Sequence, residues 1–307
     1  MGKIAFVFSG QGAQYSGMGK SLYNMEGVAK ALYDDCESIR PGTLNQSFNG
    51  SDEELKKTVN TQPCMYLLEL GAALALNEKG IYAHGAAGFS LGEISALAYA
   101  KAYSHTDGFK IVTKRGELMH EASDPDNSAM CAVLKLESHV VADTASQFEK
   151  LYAVNYNCPD QTVVSGLKSS MELFTEKIKE LGGRCIPLLV SGAFHSPFMA
   201  DAASKFAKEL NNYEIINPKI PVYANISAKP YEGKVARYLE QQMKSPVKWQ
   251  ETVENMIKDG FTDFIEVGPG KTLCGLIKKI SREVRVYSVE NEETLMETVE
   301  AINNAES

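Results

Sequence analysis

The chain has 307 residues, 44% of them hydrophobic and 23% charged, which is ordinary for a globular protein of one large domain or two modest ones. The formal net charge of -8 argues against a protein that wraps nucleic acid or lies on an anionic membrane. There is no recognisable signal peptide or spanning segment, and the six cysteines are scattered without a C-x-x-C pair, so we expect a cytoplasmic protein with reduced thiols.

The first third of the chain predicts strands that alternate with helices. The buried-type strand KIAFVF leads into the glycine-rich loop SGQGAQYSGMG. We expect Thr61 to cap a helix that has Pro63 in its first turn and runs to Gly80. A short strand, HGAAGF, is followed by the helices LGEISALAYAKA and TDGFKIVTKRGELMHEA.

The next part of the chain has a different order of predicted strands and helices. It reads as strand AMCAVLKL, helix ESHVVADTASQFEKL, strands YAVNYN and QTVVSG, helix SSMELFTEKIKELGG and strand RCIPLLV. This β-α-β-β-α-β order is typical of a ferredoxin-like domain. We predict that residues 128–189 form such a domain.

After the insertion, the sequence again predicts the strands and helices of an α/β domain. The helices SPFMADAASKFAKEL and VARYLEQQM, the strands PVYAN and TDFIEV, and a helix opened by GPGKTLCGLIKKIS follow the insertion. The predicted fold class is therefore α/β, with a parallel sheet in a large subdomain of residues 1–127 and 190–307 and the ferredoxin-like small subdomain inserted into it.

Ser90 stands in a G-x-S-x-G pattern between Gly88 and Gly92, after a short strand and before a helix. This setting favours a nucleophile elbow, which exposes the serine hydroxyl and places the N–H of Leu91 at a helix N-terminus. The alternative is a tight turn in which the serine only caps the helix. The pattern alone leaves both interpretations open.

A nucleophilic serine needs a base, and His195 is the candidate among five histidines because it lies between a strand and a helix, beside small residues. A structural role at the start of a helix is the alternative. No carboxylate follows a strand in a way that would complete a triad. More than a hundred residues follow His195, whereas α/β-hydrolases carry their histidine late, so an ordinary esterase is disfavoured.

Two further residues could serve a reaction at Ser90. Arg115 lies in a helix with an apolar face, from which its guanidinium could bind an anionic substrate with two parallel hydrogen bonds. The loop after the first strand lacks the Lys-Ser/Thr of a phosphate-binding loop, but its N–H at Gln11 could stabilise an oxyanion. A solvated arginine and a simple glycine turn are the alternatives.

Seven motifs, in order along nearly the whole chain, resemble the malonyl-CoA:acyl carrier protein transacylase family and the acyltransferase domains of polyketide and fatty acid synthases. They are FSGQGAQ (8–14), GFSLGE (88–93), KRGELM (114–119), NYNCPDQTVVSG (155–166), GAFHSPFM (192–199), SPVKWQETV (245–253) and EVGPGKTL (266–273). The resemblance implies a hydrolase-like α/β fold with a ferredoxin-like insertion.

The resemblance also implies roles for individual residues. Ser90 corresponds to the acylated nucleophile, His195 to its base and Gln242 to the residue whose backbone carbonyl orients the histidine in place of a carboxylate. The backbone N–H groups of Gln11 and Leu91 correspond to the oxyanion hole. The substrate-binding positions are Arg115 for the malonyl carboxylate, Met119, Asn157 and Phe194, the last of which would crowd a 2-methyl branch.

The implied reaction moves malonyl from malonyl-CoA to the phosphopantetheine thiol of acyl carrier protein through an ester on Ser90, for fatty acid or polyketide synthesis. Malonyl-CoA and phosphopantetheinylated acyl carrier protein are the substrates, and we expect no bound cofactor or metal. The chain departs from the family at Phe89, where malonyl-selective members usually carry histidine, which bears on acyl selectivity.

Carrier proteins of this kind are acidic, so an acidic enzyme needs a local basic surface to bind one. The stretch 271–285 carries five basic residues and one acidic residue, and Lys278, Lys279 and Arg282 are the candidate docking residues. A solvated helix face is the alternative. We expect a monomer.

Two other functions remain open. A serine thioesterase or esterase would use the same elbow with water as the final acceptor and would not need Arg115. A non-catalytic binding module with this fold would form no acyl adduct on Ser90.

Overall fold

A buried five-stranded parallel sheet forms the centre of the larger unit in the computed structural model, which describes residues 2–188, 190 and 192–306. Its strands are β1 (Lys3–Phe8), β2 (Gly85–Gly88), β7 (Val222–Tyr223), β8 (Phe261–Val267) and β9 (Arg285–Val289). Their spatial order is β7-β2-β1-β8-β9, and every neighbouring pair is parallel. The predicted α/β class with a parallel sheet is confirmed.

The alternating side chains of β1 supply both faces of this sheet. Phe6 and Phe8 join the core cluster beneath one set of helices, whereas Ala5 and Val7 join a second cluster around Trp249 on the opposite face. Both faces are therefore covered, as is usual for a parallel sheet. The carboxyl end of the central strand, where the glycine-rich loop begins, is the edge at which such folds place their sites.

A separate antiparallel sheet lies between the predicted limits of the insertion. It contains β3 (Ser128–Leu134), β4 (Leu151–Cys158), β5 (Gln161–Leu167) and β6 (Arg184–Pro187) in the order β4-β5-β3-β6. This is the ferredoxin-like arrangement that the sequence predicted. The boundaries of the two subdomains stay a prediction, and their positions 1, 189 and 307 lie outside the described residues.

The helices pack on both sheets. In chain order they are α1 (Lys20–Asn24), α2 (Val28–Ile39), α3 (Thr43–Asn49), α4 (Asp52–Lys56), α5 (Thr58–Glu78), α6 (Gly92–Tyr99), α7 (His105–Glu121), α8 (Ser138–Ala145), α9 (Lys168–Glu180), α10 (Ala200–Leu210), α11 (Val235–Met243), α12 (Trp249–Lys258), α13 (Thr272–Ile280) and α14 (Glu292–Glu306). A short 3-10 helix, Pro197–Met199, precedes α10.

The predicted helix cap at Thr61 is wrong. Helix α5 begins at Thr58, one turn earlier, and Pro63 lies inside it. The Thr61 hydroxyl donates to the carbonyls of Leu55 and Lys57, at 2.5 and 3.1 Å, and so ties the helix to the preceding segment. A threonine can donate back along a helix as readily as it can accept at a cap, and the local sequence does not distinguish the two roles.

The two sheets are joined beside the end of α11. The N–H of Val247 donates to the carbonyl of Val154, and the N–H of Tyr156 donates to the carbonyl of Val247, at 2.8 and 2.9 Å. The segment after α11 thus runs alongside β4 of the second sheet. This attachment fixes the chain immediately after Gln242 against the insertion.

Candidate active site

A strained turn presents Ser90 between β2 and α6. Ser90 has a φ of 55°, in the left-handed region that non-glycine residues rarely adopt. A Cβ at Gly88 would lie 2.0 Å from the backbone of Gly92, and a Cβ at Gly92 would lie 2.3 Å from the carbonyl oxygen of Phe8. Only glycine fits at both positions, so the G-x-S-x-G pattern has a steric cause, and the turn is a nucleophile elbow.

Asn225, just beyond the end of β7, holds this turn in place. Its Oδ1 accepts from the N–H of Ser90 at 2.9 Å, and its Nδ2 donates to the carbonyl of Gly88 at 2.6 Å. Residues 88 and 90 are thereby bridged by one side chain. The bridge opposes relaxation of the strained serine.

Ser90 and His195 form a hydrogen-bonded pair. Ser90 Oγ lies 2.7 Å from His195 Nε2, and His195 Nδ1 lies 2.9 Å from the backbone carbonyl oxygen of Gln242. Because a carbonyl only accepts, Nδ1 carries the proton and Nε2 is free to accept from the serine hydroxyl. The pair has the geometry of a nucleophile and its general base.

No carboxylate hydrogen-bonds to His195 within the part of the chain that the structure describes. The Gln242 carbonyl stands at that position, which accounts for the acid that the sequence lacks. Burial and the nearby positive charge of Arg115 lower the pKa of His195 to about 4. The imidazole is therefore neutral, the form required of a base, at neutral pH.

Arg115 is fully buried in α7, yet its guanidinium reaches the nucleophile. Its Nη2 donates to Ser90 Oγ at 3.1 Å and to Gln242 Oε1 at 2.8 Å, and its Nη1 donates to Gln62 Oε1 at 3.0 Å. Nε has no hydrogen-bond partner among the described residues. Burial lowers the pKa of Arg115 to about 10, so its positive charge is kept at neutral pH.

A small cavity of about 80 Å³ adjoins Ser90. Met119 and Phe194, two of the predicted substrate-binding residues, line it together with His195. The Met119 sulfur accepts a hydrogen bond from Gln62 Nε2 at 3.3 Å, so the same glutamine contacts both the cavity wall and Arg115. The structure therefore brings these predicted residues together around the nucleophile.

A second cavity of about 220 Å³ shares Gln11, Phe89, Asn155 and Leu188 with the first. Asn157, the remaining predicted substrate-binding residue, lines this outer cavity and not the inner one. The Oδ1 atoms of Asn155 and Asn157 are buried, with no hydrogen-bond partner within the described ranges.

Phe89 forms part of the wall common to both cavities. Its ring meets Trp249 edge-on, with centroids 5.7 Å apart, and a Cβ at Gly10 would lie 2.7 Å from it. The hydrogen bonds that join Ser90, His195 and Arg115 do not involve Phe89. The replacement of the family's usual histidine thus alters the cavity wall and leaves the hydrogen bonds at Ser90 in place.

The two predicted oxyanion donors belong to residues that line the same cavity as Ser90. Gln11 and Leu91 both line the inner cavity, and within residues 2–188, 190 and 192–306 neither backbone N–H has a hydrogen-bond partner. The Gln11 side chain donates to Thr58 Oγ1 at 3.3 Å, which anchors its loop to α5. Two uncommitted donors beside a nucleophile are the arrangement that an oxyanion hole requires.

Lys278, Lys279 and Arg282 are exposed and, with Pro159 and Asp160, line a surface depression of about 580 Å³. Pro159 and Asp160 form the turn that joins β4 to β5, and Lys278 and Lys279 belong to α13. Other residues of β4, β5 and α13 line the outer cavity. Lys278 donates to a backbone carbonyl, and Lys279 forms an exposed ion pair with Asp160. Lys278 and Lys279 thus lie on a helix that also lines the outer cavity.

Sequence reasoning missed the side chains that hold the site together. Gln62 and Asn225 were not predicted, and for Gln242 only the backbone carbonyl was. Gln62 is a polar residue in an otherwise apolar stretch of α5, and Asn225 follows a strand at the carboxyl edge of the sheet. Both features are visible in the sequence, but neither by itself indicates a functional residue.

The described residues contain no group of three or more His, Cys, Asp or Glu side chains arranged to hold a metal ion. Within them, no helix has the length and apolar character that a bilayer crossing demands.

An α/β sheet, an elbow serine, a histidine oriented by a carbonyl and a ferredoxin-like insertion together define an acyltransferase. The chain belongs to the acyl transferase domain family, whose model matches residues 5–299. It is 40% identical over 303 residues to malonyl CoA-acyl carrier protein transacylase from Bacillus subtilis (strain 168), covering 96% of each chain. The corresponding protein of Synechocystis sp. (strain ATCC 27184 / PCC 6803 / Kazusa) is 35% identical over 289 residues, covering 94% of this chain and 97% of that one.

Solved structures of malonyl transacylases are similar to this chain over nearly its whole length. A malonyl CoA-acyl carrier protein transacylase from Clostridium perfringens superposes with a TM-score of 0.95 at 35% identity, covering 99% of this chain and 98% of that chain. A malonyl-transacylase solved in complex with its type II PKS acyl-carrier protein superposes with a TM-score of 0.93 at 31% identity, covering 97% and 99%. The family that the motifs indicated is confirmed.

The acid limit of acylation tests the state of His195. We expect the rate of Ser90 acylation to fall as the pH drops through about 4, because the lowered pKa keeps the base neutral above that value. The measurement is kcat/KM for acylation against pH, with tryptophan fluorescence at each pH to exclude unfolding.

A second ionisable group, Glu93, lies beside the active site. A Glu93 variant distinguishes its titration from that of His195. Burial raises the pKa of Glu93 to about 7, and Glu93→Gln removes that titration while His195 is retained. An inflection near 7 should therefore disappear in the variant, and the limit near 4 should stay. A limit near 6.5 in both proteins would contradict the assignment.

Proposed function

We propose that this protein transfers a malonyl group from malonyl-CoA to the phosphopantetheine thiol of acyl carrier protein, by a ping-pong mechanism through an ester on Ser90. Family membership and the full-length similarity to malonyl transacylases support the reaction. The observation that carries the malonyl preference is the buried guanidinium of Arg115, which lies 3.1 Å from the nucleophile without a carboxylate partner in the described chain.

In the first half-reaction, Ser90 Oγ attacks the thioester carbonyl while its proton passes to His195 Nε2. The N–H groups of Gln11 and Leu91 stabilise the tetrahedral oxyanion, and the loss of one such donor typically costs ~3 kcal/mol of barrier. The intermediate collapses as CoA leaves and takes the proton from His195. The carbonyl of Gln242 stabilises the imidazolium that exists between these two steps.

In the second half-reaction, His195 accepts the proton of the carrier's phosphopantetheine thiol, which attacks the ester carbonyl. The same oxyanion donors act again, and Ser90 leaves with the proton. The base that accepts and returns each proton is His195, so the proposed reaction uses only its two substrates, the malonyl-CoA thioester and the phosphopantetheine thiol of the carrier.

Arg115 binds the carboxylate of the acyl group in this proposal. In the free enzyme its Nη2 donates to Ser90 Oγ, and acylation converts that oxygen to a poorer acceptor ester oxygen. The donor, together with the unpartnered Nε, is then available to the malonyl carboxylate. An acyl group without a carboxylate cannot use this charge.

The outer cavity and the basic depression are the proposed path of the phosphopantetheine arm and the carrier protein. Residues of α13 and of the β4–β5 hairpin line both of them. The acidic surface expected of a carrier protein complements the basic residues. The cytoplasmic location is likewise proposed, because the six cysteines are free thiols, as a reducing compartment maintains them. The monomeric state stays a prediction.

Intact-mass measurement tests the acyl-enzyme. Malonyl-CoA should add one malonyl group to the protein, Ser90→Ala should abolish the adduct, and Ser204→Ala should retain it. The reason is that Ser90 is paired with a base, whereas the exposed Ser204 hydroxyl donates to the carbonyl of Ala200. Addition of phosphopantetheinylated carrier should then discharge the adduct onto the carrier.

Two results would contradict this function. Rapid hydrolysis without malonylation of the carrier would indicate a thioesterase. The absence of any adduct on the wild-type protein, or an equal adduct on Ser90→Ala, would indicate a non-catalytic module or another nucleophile.

Charge reversal tests the docking surface. Replacement of Lys278, Lys279 and Arg282 by glutamate should raise KM for the carrier protein and leave acylation by malonyl-CoA unchanged, because the three residues lie away from Ser90. Steady-state kinetics with each substrate varied in turn separate the two effects.

The control reverses three exposed lysines elsewhere, Lys79, Lys110 and Lys205, and so changes net charge equally. If both triple variants raise the carrier KM equally, the effect is one of net charge alone. If the reversal of Lys278, Lys279 and Arg282 leaves the carrier KM unchanged, the carrier docks elsewhere.

A further inference from the structure

The side chain of Gln242, at the end of α11, is buried at the meeting point of the active-site residues. Its Oε1 accepts from Arg115 Nη2 at 2.8 Å. Its Nε2 donates to the backbone carbonyl of Ser90 at 2.6 Å and to Glu93 Oε2 at 2.9 Å. Its own carbonyl accepts from His195. The side chain thus has contacts that are distinct from the backbone contact to the histidine.

The orientation of this amide follows from the chemistry of its neighbours. A guanidinium only donates, so Oε1 must face Arg115. A backbone carbonyl only accepts, so Nε2 must face the carbonyl of Ser90. A flipped amide would place two donors together on one side and two acceptors on the other, inside a buried site where unsatisfied groups are costly.

Gln242 also separates two opposite charges. Glu93 is buried, and its other carboxylate oxygen accepts from the Tyr231 hydroxyl and from the N–H of Asn225. It makes no direct ion pair with Arg115, because the Gln242 amide lies between them. Direct contact would commit the guanidinium to an internal carboxylate and weaken its attraction for an external one.

The other side of Arg115 is held in the same way. Gln62 Oε1 accepts from Nη1, so two neutral amide oxygens, and no carboxylate, fix the guanidinium within the described chain. Neutral acceptors satisfy the hydrogen bonds of the cation without cancelling its charge. The result is a rigid positive charge that remains available at Ser90.

We propose that the Gln242 side chain is a specificity-determining positioning residue, which keeps Arg115 beside Ser90 and apart from Glu93, so that acyl groups bearing a carboxylate are preferred. The inference rests on the proposed function. It concerns the side chain alone, because the backbone carbonyl that orients His195 is present whichever residue occupies position 242.

Gln242→Met tests the proposal, since methionine keeps the length of the side chain and the backbone carbonyl but removes the amide. The ratio of kcat/KM for acylation by malonyl-CoA to that by acetyl-CoA should fall about tenfold, as expected when a hydrogen bond to a charged group is lost. Acetyl transfer does not use Arg115 and should fall less. Any unfolded fraction lowers both rates equally and cancels in the ratio.

The neighbouring Gln241→Met is the matched control, because the Gln241 side chain contacts Glu240 and not the site. Its malonyl-to-acetyl ratio should equal that of the wild type. Gln242→Glu is the second variant: it offers Arg115 a carboxylate and cannot donate to the carbonyl of Ser90. Its ratio should fall at least as far as that of Gln242→Met.

The proposal would be overturned if Gln242→Met left the malonyl-to-acetyl ratio unchanged or if Gln242→Glu restored it. The Gln242 side chain would then serve only to fill space in the packed site. Intact-mass measurement on the wild-type protein distinguishes this failure from that of the proposed function. If the wild type forms the malonyl adduct on Ser90 while the ratios do not move, only the role of Gln242 is lost.

Discussion

A buried positive charge with no direct carboxylate partner among the described residues is the constraint on which the site depends. Arg115 is enclosed in α7, and the structure satisfies its guanidinium with two neutral amides and the nucleophile's hydroxyl. Burial of a charge without a paired carboxylate is costly to the fold. A site of this kind is expected where the substrate itself supplies the anion. The fold then loses some stability, and the site gains affinity for a carboxylate.

The same charge shapes the chemistry at the dyad. It helps to lower the pKa of His195, which keeps the base neutral, and it donates a hydrogen bond to the oxygen that must become the nucleophile. The elbow supplies the other requirement, a serine held in the left-handed region by glycine on either side and by Asn225. In the proposed function, substrate recognition by Arg115 and catalysis by the Ser90–His195 pair therefore belong to one hydrogen-bonded unit.

The sequence predicts the parts of this protein that are local. The elbow, the parallel sheet and the β-α-β-β-α-β insertion follow from glycine spacing and hydrophobic patterns, and ordered motifs identify the family. The side chains of Gln62 and Gln242 escape prediction because they reach Arg115 across 53 and 127 positions of the chain. The cap at Thr61 is wrong for a related reason, since its partner carbonyls lie in the preceding segment.

The acyl preference of Arg115 variants shows whether this buried charge selects the acyl group. Acylation of wild-type protein, Arg115→Ala and Arg115→Lys is measured with malonyl-CoA and acetyl-CoA. We expect Arg115→Ala to lower the malonyl-to-acetyl ratio by roughly a hundredfold, because a charged hydrogen-bonding pair is lost, and lysine to restore part of it. Malonyl acylation that survives in Arg115→Ala undiminished relative to acetyl would show that Arg115 does not bind the malonyl carboxylate.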